Sequence, residues 1–280
     1  MPIHDQSYRR YSGTREPRGG AWAVIGTTGI RAILGKKLFL GLMLLAWLPF
    51  TVYAIRIYLA ANYPQVSMLG ATRETFREFF DWQSVFVFFI TIWVGSGLIA
   101  RDRRANALQI YLSKPLTRAE YVAGKLLVLG TFLLLVTFVP AILLLVIQIL
   151  FAGSFAFVRA NMYLFPAITL YSFLQVLVVA FTMLALSSLS KSSRYVAILY
   201  TGVYFFTEAV YGVMYAITAS TGLSWLSFGA SLRQLGNVIF RMPPAYPDTP
   251  WPVSLLVVVG LIAVSVWVLN VRVRGVEVVT

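Results

Sequence analysis

Six apolar runs, most of them about twenty residues or longer, constrain this chain more than any other feature. A helix crosses the hydrocarbon core of a bilayer in roughly 20 residues. Hydrocarbon offers backbone N–H and C=O groups no outside partner, so helix is the form such runs take. The runs lie at 38–60, 79–100, 126–152, 163–189, 195–219 and 252–270. The second, short if counted from Ser84, is extended back to Phe79. They predict an all-α, polytopic membrane protein with six transmembrane helices. A basic tail (1–21) would precede one transmembrane domain (22–280). Charged residues are only 12% of the chain and hydrophobic ones 59%, against about 25% charged in soluble domains. The first 37 residues lack a short apolar core followed by a small-residue cleavage site, so no removable signal peptide is expected.

Lysine and arginine set orientation, because they resist transfer across the membrane. Residues 1–37 carry seven and residues 101–125 carry six; Lys191, Arg194, Arg272 and Arg274 bring that side to seventeen. Arg73, Arg77, Arg159, Arg233 and Arg241 are the five on the other side, and Arg56 lies within the first run. The alternation predicts both termini in the cytoplasm of a plasma membrane, the inner membrane in a bacterium. The net charge of +13 then reads as an orientation signal, not as a nucleic-acid footprint. Trp82, Trp225 and Trp251 fall near outer span ends and Trp22 near the inner face, where amphipathic rings settle.

Between the runs, residues 22–37 mix apolar and basic side chains over a helical length. They read as an amphipathic helix in the inner interface or as a flexible basic tail, since Gly26 and Gly29 weaken a helix. The loop 101–125 carries more local logic. Ala105, Ala107, Leu108 and Gln109 favour helix, and Pro115 disfavours it at Lys114. Thr117-Arg118-Ala119-Glu120 reads as a capping box before an apolar run. The result is span, short helix, break, span: either a lever that passes force into both spans, or a solvated basic turn. On the outer side, Phe76, Phe79 and Phe80 have helical spacing and look like an interfacial lead-in to the second span. Residues 220–251 form an outer segment, with Leu232, Leu235 and Ile239 on one face of a short helix.

Polar residues inside the bilayer are few. Glu208, in the fifth run, costs roughly 2.5–3.5 kcal/mol or more if charged there. It is a cavity or coupling residue, or a hydrogen-bonded packing residue. Gln148 and Gln175 can hydrogen-bond between helices. Pro49, Pro140 and Pro166 lie in or near the starts of spans, and such residues often kink a helix. Gly95-Ser96-Gly97 permits close helix contact.

Much chemistry is excluded. The only histidine is His4, in the tail, and there is no cysteine, which removes helical HExxH zinc sites and thiolate chemistry. No Gly-x-x-x-x-Gly-Lys-Ser/Thr phosphate loop occurs: before Gly35-Lys36 the first glycine's place holds Ile30, and Lys37 follows. No cofactor or metal site, and no enzymatic activity of the chain itself, is expected.

Leu112-Ser113-Lys114-Pro115-Leu116-Thr117-Arg118, with Glu120 and Gly124-Lys125, resembles the cytoplasmic loop of type-2 ATP-binding-cassette exporter permeases. Asp102 stands near that family's leading acid; Asn106-Ala107-Leu108-Gln109 takes the Gly-Thr-Leu-Glu place and keeps only the leucine. Leu186–Arg194 is similar to its short loop between spans four and five. The resemblance implies a permease subunit of an ATP-driven exporter, paired with a second permease subunit as a homo- or heterodimer. Separate ATPase subunits would bind the ATP. The implied ATPase-facing surface is Asp102, Arg103, Arg104, Leu108, Leu112, Ser113, Pro115 and Arg118, on a short helix over 103–112. An ATPase-linked assembly or maturation factor, and a self-standing channel or secondary transporter, are the alternatives.

Overall fold

Each apolar run folds as helix, and most of the helices extend past the hydropathy at their ends. The computed structural model describes residues 20–63, 65, 70, 72–107, 116–152, 159 and 161–273. Among these, six helical stretches are long and apolar enough to cross a membrane: Lys37–Asn62, Arg73–Arg104, Arg118–Phe151, Leu164–Leu189, Ser193–Thr218 and Trp251–Arg272. No strand occurs among the described residues. The helices are α1 (Ala21–Leu34), α2 (Lys37–Ala46), α3 (Leu48–Asn62), α4 (Arg73–Ile90), α5 (Ala100–Arg104), α6 (Arg118–Val136), α7 (Phe138–Ala152), α8 (Leu164–Leu189), α9 (Ser193–Thr218), α10 (Phe228–Ile239) and α11 (Trp251–Arg272).

Two spans are broken, and proline explains both. The first divides at Trp47 into α2 and α3, and the third at Thr137 into α6 and α7. Pro49 and Pro140 follow just after; each lacks an amide and pushes on the carbonyl four residues back. Pro166 is the third residue of α8, where the amide has no intrahelical partner to lose, and no break follows.

The second span begins at Arg73, six residues before the hydropathy start. Thr72 caps it: its hydroxyl accepts from the Thr75 amide (3.4 Å) while the Thr75 hydroxyl accepts from the Thr72 amide (3.2 Å). Arg73, Glu74, Arg77, Glu78 and Asp81 conceal this turn from a hydropathy reading. Phe76, Phe79 and Phe80 turn inward on this lead-in to the second span, buried with Tyr53, Leu144, Ile168 and Phe240. The same span changes pitch at Thr91–Gly95, a π-helical turn, and passes through a bend at 96–99 into α5. Gly95 lets this turn lie close against α8, since a Cβ there would lie 2.4 Å from Met183.

Helix α8 is the central post, packing on α6, α7, α10, α11 and the π-helical turn. Helix α9 is the opposite case: only Val196 and Tyr200 are buried along its 26 residues. Helix α1 lies along α6, where Gly26 meets Leu127, Gly29 meets Val128, and Gly124 meets Ile25 and the Trp22 carbonyl. Small residues on both helices bring the backbones together, which is how helices associate where lipid removes the hydrophobic drive.

Asp248 closes the segment between α9 and α11. Its Oδ2 accepts from the Thr221 amide (2.8 Å), the Thr221 hydroxyl (2.9 Å) and the Ser220 hydroxyl (3.0 Å). These bonds, the Thr221 amide first, hold its carboxyl below the usual range. A lowered folded-state pKa means that the grip is complete above the ordinary value of about 3.9 and is lost only as pH falls through the lowered one. Asp248→Asn is expected to speed amide exchange at Thr221 several-fold at pH 7, and wild-type protection should outlast acidification to pH 4. Hydrogen-exchange mass spectrometry across that pH range checks both.

Candidate functional site

Two groups of polar side chains stand out, at opposite ends of the bundle. The first surrounds α5. Helix α6 begins where its capping box dictates: the Thr117 hydroxyl accepts from the Glu120 amide (3.2 Å), and the Glu120 carboxylate accepts from the Thr117 amide (2.9 Å). One and two turns into that helix, Tyr121 and Lys125 face α5. Asp102 accepts from the Tyr121 hydroxyl at 2.8 Å and pairs with Lys125 Nζ at 2.7 Å. The Lys125 ammonium also lies over the Tyr121 ring, 5.4 Å from its centre.

The other face of α5 is stitched to the end of α8. The bend at 96–99 leaves the Ile99 and Ala100 amides without helical acceptors. The buried Ser187 hydroxyl accepts from both at 3.1 Å and donates to the Ser96 carbonyl at 3.0 Å, spending its full hydrogen-bond capacity. The Arg103 guanidinium donates to the Ser188 carbonyl. Asp102 therefore ties α5 to α6, and Arg103 and Ser187 tie it to α8. Ile99, Tyr121, Leu184, Ala185, Leu269 and Val273 fill the apolar space beneath.

Arg104 and Arg118 are exposed beside this junction. Leu108, Leu112, Ser113 and Pro115 lie outside the described residues. The helix expected over 103–112 is corrected at its start: α5 ends at Arg104, and Asn106 adopts φ 52°, a left-handed turn that asparagine tolerates.

The second group lines a cavity of about 120 Å³ at the α10 end, between α4, α8, α9 and α10. Arg77, Asp81, Gln175, Glu208 and Arg233 supply its polar wall, and Phe88, Tyr171, Tyr200 and Tyr204 its aromatic one. Arg77 is 2% exposed. Its Nε donates to Asn237 (3.2 Å), and its guanidinium lies over Tyr171, 5.1 Å from the ring centre. Nη1 is 2.9 Å from Asp81 Oδ1, but off the line of a hydrogen bond, so both Nη atoms keep unspent N–H groups. Gln175, on α8, is buried with its Oε1 unmatched.

The sequence marks Glu208 as an acid within the fifth span. The structure adds Asp81 to the same cavity and places the Glu208 carboxylate at the foot of α10, where the Ser227 hydroxyl donates to it at 2.7 Å. Gln148, half-buried on α7, does not line the cavity. Hydropathy assigns Arg77 to a loop, and Asp81, the third residue of the second run, sits so near its start that it reads as an end residue. The spacing Arg77-x-x-x-Asp81, an i,i+4 ion pair on one helix face, was the signal available.

The family described as ABC-2 family transporter protein has a model that matches residues 30–272. That range contains both polar groups. No curated protein matches the chain.

Proposed function

The chain belongs to the ABC-2 transporter family, and is thus a multi-pass membrane permease component; from that premise we propose that it couples ATP hydrolysis by a separate ATPase subunit to export of a substrate. Both termini and the α5 end face the cytoplasm in this reading, with α1 in the inner interface and the α10 end outside. A second permease subunit completes the complex, and the bare apolar surface of α9 is available to it or to lipid.

The observation that carries the reading is the seating of α5. Asp102, Arg103 and Ser187 fasten one short helix to two long ones. Motion delivered at the elbow 101–117 then passes into α6, into α8 and through the π-helical turn into α4. ATPase closure is the source of that motion. Asp102 and Arg103 act as the inner fastening, while Arg104, Leu108, Leu112, Ser113, Pro115 and Arg118 form the surface that the ATPase touches. ATP binds the partner and no cofactor binds this chain.

The chain has no cysteine, which makes the test direct. A single cysteine at Arg104 or Leu112 should cross-link to a co-purified ATPase subunit in native membranes. Leu112→Asp or Pro115→Ala should lower coupled flux several-fold while leaving the ATPase bound. A cross-link to no ATPase, or labelling of these positions by a membrane-impermeant thiol reagent from outside the cell, overturns the proposal.

A further inference from the structure

Helix α10 carries two glycines seven residues apart, on one face, and each seats a charge. A Cβ at Gly229 would lie 2.2 Å from the Glu208 carboxylate oxygen, and a Cβ at Gly236 would lie 2.7 Å from Arg77 Nε and 2.8 Å from Tyr171. Alanine in a helix is about 0.8–1 kcal/mol better than glycine, so two glycines here have a structural cost that the seating of these groups offsets. The result is a cavity with the Arg77 guanidinium and its Asp81 partner toward one end and the Glu208 carboxylate toward the other.

The donors and acceptors there are not used up. Nη2 of Arg77 and Oε1 of Gln175 are buried without a hydrogen-bond partner, and Nη1 has only its off-line ion pair with Asp81 at 2.9 Å, an arrangement that costs free energy unless something polar enters. Arg77 with Arg233 balances Asp81 with Glu208, so a net dianion or dication is poorly matched. About 10–15 Å³ of such room holds one water, and the cavity has about 120 Å³. Across Tyr200, Tyr204 and Phe228, which line both, lies an apolar groove of about 290 Å³ formed by Val203, Leu226, Val257, Gly260, Leu261 and Val264.

We infer that this cavity binds the zwitterionic head of an amphipathic molecule, its phosphate on the Arg77 guanidinium and its ammonium on the Glu208 carboxylate, with an acyl chain in the adjoining groove. The inference deepens the permease reading by naming a substrate class, and rests on it for the purpose of binding, not for binding itself. Gln175 Oε1 takes a further ammonium or hydroxyl hydrogen. Tyr200 and Tyr204 separate head from chain.

The test uses the full chain in detergent without any ATPase, so that its failure is distinct from failure of ATP coupling. Binding of dihexanoyl phosphatidylethanolamine is compared with that of dihexanoyl phosphatidylglycerol, which has the same chains and no ammonium. The first should bind about tenfold more tightly, the scale of one charge-assisted hydrogen bond. Glu208→Gln, which keeps the side-chain shape and can still accept from Ser227, should erase that preference by weakening phosphatidylethanolamine, while anionic phosphatidylglycerol, relieved of a like charge, binds at least as tightly as before. Gly260→Leu, where nothing lies within 4 Å of an added Cβ, should weaken the lipid and spare free O-phosphoethanolamine. Thermal unfolding confirms that each variant is folded. Equal affinity for the two lipids, an undiminished preference in Glu208→Gln, or free O-phosphoethanolamine binding as tightly as the lipid overturns the inference.

Discussion

Asp102→Ala is expected to lower the stability of the chain by about 2–3 kcal/mol and coupled transport by more than tenfold. Breaking a buried ion pair by removing one partner costs roughly 3–5 kcal/mol, because the other charge is left stranded. Here the Lys125 and Asp102 side chains keep 14% and 19% of their exposure, so water reduces the figure. The Tyr121 hydroxyl loses its hydrogen bond to Asp102 as well. Transport should fall further than stability suggests, because the variant leaves α5 fastened to α8 through Ser187 and Arg103 while freeing it from α6. The ATPase would still bind and hydrolyse ATP; its motion would stop at the elbow. Asp102→Ala combined with Lys125→Met removes both charges, and most of the lost stability should return without the lost transport. Thermal unfolding of the two single variants and the double variant forms the cycle. Additive losses would show that the pair is not coupled. A return of transport along with stability would show that the tie has no mechanical part.

How far the sequence revealed this arrangement depended on what each residue had to signal. The six spans were legible because apolar runs have one solution in hydrocarbon. The start of α6 was legible because Thr117 and Glu120 satisfy each other locally, whatever surrounds them. The start of α4 was not: five charged residues share its first turns with Phe76, Phe79 and Phe80, and only the neighbouring helices show that these rings face inward. Asp102 was found through a family resemblance, yet its partners Tyr121 and Lys125 are nineteen and twenty-three positions away, and no local pattern joins them. The cavity at the α10 end was the least legible feature. Glu208 drew notice as an acid in an apolar run; Arg77, Gln175 and the glycines of α10 converge on it from three other helices.

Glycine gives the second large effect, and its ranking runs against distance alone. A Cβ at Gly26 would sit 2.3 Å from Leu127 Cδ2, the closest approach in the α1–α6 contact, whereas one at Gly124 would sit 2.8 Å from Ile25 Cβ and 3.0 Å from the Trp22 carbonyl. At Gly26 the worst obstacle is the free end of a flexible side chain, which rotates away, leaving Leu127 Cγ (3.0 Å) and Cβ (3.3 Å) to give by a few tenths of an ångström. At Gly124 it is backbone and a β-branched stem, which do not rotate away. Alanine also gains about 0.8–1 kcal/mol over glycine in a helix. Gly26→Ala should therefore be close to neutral, the helix gain offsetting the small shift of Leu127. Gly124→Ala should be destabilising on balance, with overpacking of about 1–3 kcal/mol against that gain, and Gly124→Leu should detach α1 altogether. Arg31, Lys36 and Lys37, at the end of α1 and the junction with α2, are already exposed side chains; detachment frees the helical backbone around them to unwind into a protease site, so limited trypsin digestion should cut there many times faster in Gly124→Leu and at the wild-type rate in Gly26→Ala. The reverse order would mean that α1 does not lie along α6 as described. From sequence alone, Gly26 and Gly29 argued against a helix over 22–37. In the fold they, with Gly124, are what lets that helix dock, so the feature that weakens α1 in isolation is the one that holds it in place.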